Sequence, residues 1–332
     1  MPDELNLLRT SERACFTRCR MRWWWAYHEG LTPKLAAPAL RFGSLVHGAL
    51  EKWYKPGNKR GRKPWLTFRD LYNKELEQLE EFGMYTEEGD WEDARTLGDA
   101  MLRHYVQHYG TDAHLEVIAP EQDFQIDLED PDTGLYVCTY VGTFDAVIRN
   151  KRTGRIGLFE HKTAKAISTA HLSLDEQAGA YWAFAPDWLR AQGILGKKED
   201  LDFILYNFLR KAKPDQRPMN QDGLHLNKDG SISKSQPPPY FKRQEVLRGQ
   251  HDRREVMLRA IQQAKEIEMV RNEELAHYKN PTKDCSWDCD FGPKTGLCEM
   301  HEIGDDWEEI RDSLFTYWNP YEAHDLVYEK ED

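Results

Sequence analysis

Residues 142–162 read GTFDAVIRNKRTGRIGLFEHK. Two β-rich runs flank the turn KRTG at Lys151–Gly154, a pattern that predicts a hairpin. The first arm belongs to one strand over 136–149 (YVCTYVGTFDAVIR), and the second is RIGLFEHKT. Strand side chains repeat with period 2, so Glu160 and Lys162 share a face. The hairpin carries Asp145 beside Glu160. Two carboxylates at that separation repel each other unless a cation sits between them. Hard oxygen ligands with open positions suit Mg²⁺ or Mn²⁺. Such an ion lowers the pKa of a bound water and stabilises charge on a phosphoryl oxygen. Lys162 then orients the water or neutralises developing charge. A D…ExK pattern alone more often describes a surface hairpin with a Glu/Lys pair, which is worth little. Here the charged residues follow directly on Ile156, Leu158 and Phe159, where a buried strand emerges, and charges there need a partner.

Outward from this hairpin, Phe124, Ile126 and Leu128 alternate as an earlier strand, followed by the turn PDTG. Downstream, 173–195 reads as a helix on which Gln177 and Tyr181 share a face, and Leu201–Leu209 as a buried strand. Upstream, Leu45, Val46, Ala49, Leu50 and Trp53 have helical spacing over Phe42–Tyr54. His47 lies on this helix; a lone histidine there is usually packing, but a neutral imidazole also completes metal sites. The sum is helix, three strands, helix, strand: an α/β core. Lys55–Pro64 is a basic turn, and 66–110 reads as helices with a break near Gly89. Residues 213–243 read as a long loop or weak hairpin, and 245–278 as one long helix. The expected organisation is 1–54 (first core helix and N-terminal cysteines), 55–118 (helical insertion), 119–212 (core), 213–244 (loop), 245–300 (long helix and cysteine cluster) and 301–332 (acidic tail).

The chain has 332 residues, 40% of them hydrophobic and 11 of them Trp, enough for a sizeable core and too many for wholesale disorder. A net charge of -12 argues against coating nucleic acid by bulk electrostatics. The charge is uneven, however: residues 1–70 hold 14 Lys/Arg against 6 Asp/Glu, whereas 299–332 hold 12 acidic against 2 basic residues. That asymmetry permits a local polyanion groove on an acidic protein. No apolar run reaches about 18 residues, and the N-terminus has no apolar h-region, so neither a membrane span nor a secretory signal is expected and the cytoplasm is the expected compartment.

Six cysteines are too sparse for a disulfide scaffold, and in a reducing cytoplasm clustered cysteines read as metal or cluster ligands. Cys285, Cys289 and Cys298 form C-x3-C-x8-C, a spacing for zinc or an iron–sulfur cluster. The fourth ligand is open among Cys15, Cys19 and His301, while mid-strand Cys138 reads as a buried hydrophobe. Trp23, Trp24 and Trp25, interleaved with Arg18, Arg20 and Arg22, suggest a base-stacking surface, although helical spacing sends three adjacent Trp to different faces. Arg210, Lys211, Lys213 and Arg217 follow a strand end and suggest a DNA path.

These residues occur in a recognisable order. FGSLVH ending at His47, GTFD ending at Asp145, EHK from Glu160 to Lys162 and QAGAY from Gln177 to Tyr181 together resemble the RecB/AddB-type branch of the PD-(D/E)XK nucleases. That branch includes CRISPR-associated RecB-like exonucleases and phage-encoded relatives. The resemblance covers roughly residues 8–54 and 120–300, and leaves 55–118 and the tail unexplained. It implies an αβββαβ restriction-endonuclease-like core with a helical insertion and cysteine-stapled termini. It further implies a metal site of His47, Asp145, Glu160 and the backbone carbonyl of His161, with Lys162 as catalytic lysine and Gln177 and Tyr181 supporting the site and contacting DNA. Relatives often carry an iron–sulfur cluster with one N-terminal and three C-terminal cysteines. Cys19, followed by Arg20, Arg22 and Trp23, matches that pattern better than Cys15. The implied set is thus Cys19, Cys285, Cys289 and Cys298 around a 4Fe-4S cluster, with zinc as the alternative.

The implied function is Mg²⁺- or Mn²⁺-dependent exonuclease action on DNA, single-stranded ends favoured, in phage or bacterial recombination, replication or repair, in company with a helicase or recombination partner. The rival readings are a non-catalytic DNA-end-binding subunit and a metal-stabilised scaffold on the same fold. A subunit without catalysis would have no need of the intact D…ExK set.

Overall fold

A computed structural model describes residues 6–34, 38–81 and 88–322. In chain order its elements are β1 (Leu7–Leu8), α1 (Thr10–Arg18), α2 (Arg20–Trp23), a π-helical turn (Trp24–His28), β2 (Leu31–Pro33), α3 (Pro38–Trp53), α4 (Pro64–Glu81), α5 (Glu88–Tyr109), β3 (Leu115–Ala119) and β4 (Gln122–Glu129). There follow β5 (Tyr136–Phe144), β6 (Ala146–Asn150), β7 (Ile156–Ala164), α6 (Glu176–Ala191), β8 (Phe203–Arg210), β9 (Phe241–Leu247), α7 (Gln250–Arg271), α8 (Cys285–Asp288), α9 (Leu297–Ile303), α10 (Trp307–Leu314) and β10 (Phe315–Tyr317).

The central sheet has the order β3-β6-β7-β8-β9, and a second, smaller sheet the order β1-β5-β4. Strands β7 and β8 run parallel, joined by the crossover helix α6, while β6–β7 and β8–β9 are antiparallel. Period 2 sorts the side chains of β7 and β8. Leu158, Ile204, Tyr206 and Phe208 face the core layer that contains α6 and α7. Phe159, Phe203 and Leu209 face the layer built by α3, α4 and α5. Each such side chain, fully buried, contributes on the order of 1.5–3 kcal/mol. The α/β class and mixed sheet are as expected from the sequence, and no helix among the described residues is long and apolar enough to cross a membrane.

Several expectations need correction. The single strand read over 136–149 is two strands in different sheets, broken at Asp145. A strand that changes sheets must bend, and Asp145 sits at that bend between β5 and β6. The single helix read over 245–278 is instead an edge strand followed by a shorter helix. FKRQEVL pairs antiparallel with β8 from Phe241 to Leu247, and α7 starts only after Gly249, whose amide donates to the Asp252 carboxylate at 2.9 Å. The strand therefore straddles the boundary set between the 213–244 loop and the long helix. The helix read over 173–195 is shorter because Asp175 caps it, accepting from the Ala178 amide at 2.8 Å. The helical insertion over 55–118 also ends in a strand, β3, on the edge of the central sheet. Gly89, near the expected break, lies instead in the first turn of α5; residues 82–87 before it lie outside the described residues. The acidic tail folds back through Glu322: β10 pairs with β2, and the Tyr321 hydroxyl bonds the buried Glu12 carboxylate. Residues 323–332 of that tail lie outside the described residues.

Candidate active site

The hairpin quoted first supplies three polar side chains to one cleft of about 930 Å³. Glu160 and Lys162 extend from β7 on the side facing α6, and Lys162 Nζ donates to Glu160 Oε1 at 2.8 Å. The same ammonium donates to Gln177 Oε1 at 2.8 Å, and Gln177 Nε2 donates in turn to the Tyr181 hydroxyl at 3.2 Å. Helix α6 therefore holds the lysine from the side, with Gln177 and Tyr181 on one helix face. Tyr181 approaches β5 so closely that a Cβ on Gly142 would lie 2.6 Å from its ring, so only glycine fits the first position of GTFD.

Asp145, at the kink, has both oxygens engaged. Its Oδ2 accepts from the His161 amide at 2.6 Å, and its Oδ1 lies 3.0 Å from His47 Nδ1 on α3. Burial opposes ionisation of Asp145, but the His47 imidazole and the His161 amide outweigh it and hold its carboxyl below the usual range. Glu160 behaves oppositely: burial, with the Asp145 charge beside it, pushes its carboxyl well up despite Lys162. Burial lowers His47, yet Asp145 more than compensates and its pKa is raised. Lys162 follows the same logic, with Glu160 overcoming burial. The cleft thus carries more negative charge than its own cations relieve, and the donors are hard oxygens with one imidazole. That chemistry fits Mg²⁺ or Mn²⁺. Among the described residues no three His, Cys, Asp or Glu side chains form a ready-made cation cage; in this cleft Lys162 and His47 each bond a carboxylate oxygen.

His161 divides its roles. Its backbone faces the cleft, whereas its buried side chain enters the opposite layer, with Nδ1 2.9 Å from Asn207 Nδ2. Sequence reasoning missed Glu121, which lines the cleft between β3 and β4. Burial, with Asp145 and Glu51 next, pushes its carboxyl up to about 7. Its only sequence signal is a position just after Pro120 at a strand junction. Arg9, Ser11 and Lys211 also line the cleft.

Cys19, Cys285, Cys289 and Cys298 line a second cavity of about 340 Å³, and Cys15 does not. All four are half-buried and none is in a disulfide. Backbone amides of Asn280 and Thr282 donate to Cys19 Sγ and Cys285 Sγ, each at 3.4 Å, as amides around bound thiolates do. A Cβ on Gly292 would lie 2.6 Å from the Cys285 carbonyl, so the loop around the thiols is as tight as glycine permits. Burial pushes the Cys298 thiol up to about 11 and the Cys15 thiol up to about 12. Thiols are ligands for soft metals, yet among the described residues these four do not stand as a ready-made metal-binding group either. His301 packs instead against the rings of Trp25 and Trp307.

The tryptophan trio does not form a stacking platform. Trp23 and Trp25 are core, and Trp24 is stacked on His277, with ring centroids 4.0 Å apart. Arg18, Arg20 and Arg22 pair with Asp288, Glu266 and Asp290. Of the four basic residues after β8, Lys211 reaches the cleft, whereas Arg217 pairs with Asp215 and Arg210 donates to the carbonyls of Pro238 and Pro239.

The fold and the paired acid–lysine strand define a nuclease class. Residues 10–294 match the model of the PD-(D/E)XK nuclease superfamily, and the chain belongs to that superfamily. Among solved structures it is similar to a protein of Eubacterium rectale described only as a candidate exonuclease, with 11% identity, a TM-score of 0.47 and coverage of 84% of this chain and 86% of that one. No curated protein matches the chain.

Proposed function

We propose that the protein is a Mg²⁺- or Mn²⁺-dependent exonuclease that hydrolyses DNA phosphodiesters from ends, with single strands favoured, in bacterial or phage recombination, replication or repair. The observation that carries this reading is the convergence of Asp145, Glu160 and Lys162, with His47, on one open cleft. Asp145, Glu160, His47 and the carbonyl of His161 would hold the ion. When bound, the ion stabilises charge on the phosphoryl oxygen and supplies a water acidic enough to attack at neutral pH. Lys162 sets a positive charge where the pentavalent oxygens gather charge, and Gln177 keeps that ammonium from swinging away. Tyr181 closes the wall behind Gln177. Arg9 and Lys211, which line the cleft, favour the DNA backbone despite the acidic whole.

The four-cysteine cavity supports a staple joining both chain ends, read here as a 4Fe-4S cluster bound by Cys19, Cys285, Cys289 and Cys298. Metal analysis of anaerobically purified protein tests it, with stoichiometric zinc and no iron as the contrary result.

The catalytic reading is tested by incubating Lys162→Ala with end-labelled DNA and Mn²⁺. Hydrolysis is expected to vanish while circular dichroism and DNA binding persist, and full cleavage would refute the assignment.

A further inference from the structure

Behind the catalytic strand lies a row of buried polar side chains. His161, Asn207 and Arg243 occupy β7, β8 and β9 in direct register, His161 opposite Asn207 and Asn207 opposite Arg243. They share the face that looks toward α3 and α5, away from Glu160 and Lys162. Arg243 is the hub. Its guanidinium forks onto the Asp112 carboxylate with two bonds of 2.7 Å, and its Nε donates to Asn207 Oδ1 at 3.1 Å. Tyr54 and Tyr105 hydroxyls complete the cluster: Tyr54 donates to Asp112 Oδ2 at 2.6 Å, and Asn207 Nδ2 donates to the Tyr105 oxygen at 3.0 Å. Asp112 sits at φ 47, in the left-handed region, where a non-glycine residue persists only if its surroundings require it.

The chemistry of the row has one direction. Arginine has only donors, so Asn207 must present its oxygen to Arg243 and its NH₂ to His161. His161 Nδ1 must therefore accept, which leaves the imidazole neutral with its proton on Nε2. A ring so fixed fixes its own backbone, and the His161 amide is the group that holds Asp145 Oδ2 at 2.6 Å.

We propose that Asn207, Arg243 and Asp112 are positioning residues of the nuclease centre. Acting through His161, this relay sets the seat of Asp145 and the cleft-facing register of Glu160 and Lys162. The proposal rests on the reading of Asp145, Glu160 and Lys162 as that centre. The helical insertion thereby acquires a structural role, since Tyr105 and Asp112 come from it and clamp the catalytic strand from behind. A buried polar network of this kind is worth its desolvation cost when it specifies one arrangement.

The test uses two variants of the full chain. Asn207→Asp keeps an acceptor for Arg243 but cannot donate to His161. Arg243→Lys keeps the charge beside Asp112 but cannot span to Asn207 as well. Loss of support behind ligands commonly costs about 10–100-fold in activity or metal affinity. Both variants are expected to lose kcat in that range at saturating Mn²⁺, with KM for DNA within about twofold of the parent and the circular dichroism spectrum unchanged. Nitrogen-15 spectra of labelled histidine supply a readout independent of turnover and of bound metal. The parent His161 signal, assigned by its loss in His161→Gln, should be the Nε2–H tautomer, and Asn207→Asp should move it toward Nδ1 protonation. An Nδ1–H tautomer in the parent, or full kcat in either folded variant, overturns the proposal. Lys162→Ala run in parallel separates the two claims: if it retains full activity, the reading of the centre fails, and if it is inactive while Asn207→Asp is fully active, the relay alone fails.

Discussion

Glu160, His161 and Lys162 are consecutive, yet they live in two environments. The outer two reach the cleft, and the middle one enters a closed polar network. Period 2 made that division legible from local sequence, and with it the pairing of Glu160 and Lys162. The partner of His161 was not legible, because Asn207 is 46 positions away and no spacing rule links them. His47 carries a direct test. As a ligand, His47→Ala should raise the Mn²⁺ concentration needed for half-maximal cleavage, whereas an identical metal titration returns it to simple packing. Gly142 carries another. A methyl group there meets Tyr181 and Phe124 within 3 Å, so Gly142→Ala forces overpacking that costs about 1–3 kcal/mol. Urea denaturation should show that loss, and cleavage should fall with it because Tyr181 shifts Gln177. A midpoint equal to that of the parent would mean that the close approach is easily relieved.

At the scale of elements, the local signals succeeded where one neighbour decides the outcome and failed where a distant one does. The core strands β4, β7 and β8 and the body of α6 follow from periodicity, whereas the start of α6 is set by the Asp175 cap, which that pattern did not reveal. The break at Asp145 does not, since YVCTYVGTFDAVIR is uniformly strand-like and only the presence of two sheets explains why it bends. Strand β9 was hidden by its charged residues, which suit an exposed edge and also suit a helix; its pairing partner β8 settles the matter. The clamp formed with that strand makes a pH prediction. Burial alone would raise the pKa of Asp112, but the Arg243 fork outweighs it and holds the carboxyl below the usual value. A carboxylate with a depressed folded pKa stabilises the protein above its ordinary pKa, near 4, and that stabilisation disappears as pH falls through the lowered value. Thermal stability of the parent should thus fall steeply below about pH 4, whereas Asp112→Asn, already missing the pair, should start lower and fall less. Parallel melting curves against pH check this, and equal acid slopes would contradict it.

Over the whole molecule, segments far apart in sequence meet: Arg18 and Arg22 both donate to the Asp288 carbonyl, each at 3.0 Å, and β10 pairs with β2. The cysteine spacing suggested a metal or cluster site and the family resemblance favoured Cys19 over Cys15; in the structure Cys19, and not Cys15, lines one cavity with Cys285, Cys289 and Cys298. A cross-link across so long a loop restricts the unfolded chain strongly. Cys19→Ser should therefore lose bound metal and melt at lower temperature, while Cys15→Ser should keep the metal; the reverse pattern would exchange the two roles. Residues 55–118, which the family resemblance left unexplained, reach the central sheet through Tyr105, bonded by Asn207 on β8, and Asp112, bonded by Arg243 on β9. The proposed function makes the cleft a metal-dependent nuclease centre. The most direct measurement is to incubate the purified protein with end-labelled single- and double-stranded DNA in Mg²⁺, Mn²⁺ or EDTA. Progressive loss of label from single-stranded ends with either ion, abolished by EDTA and by Lys162→Ala, is the predicted result; DNA bound but left intact in both ions would contradict it.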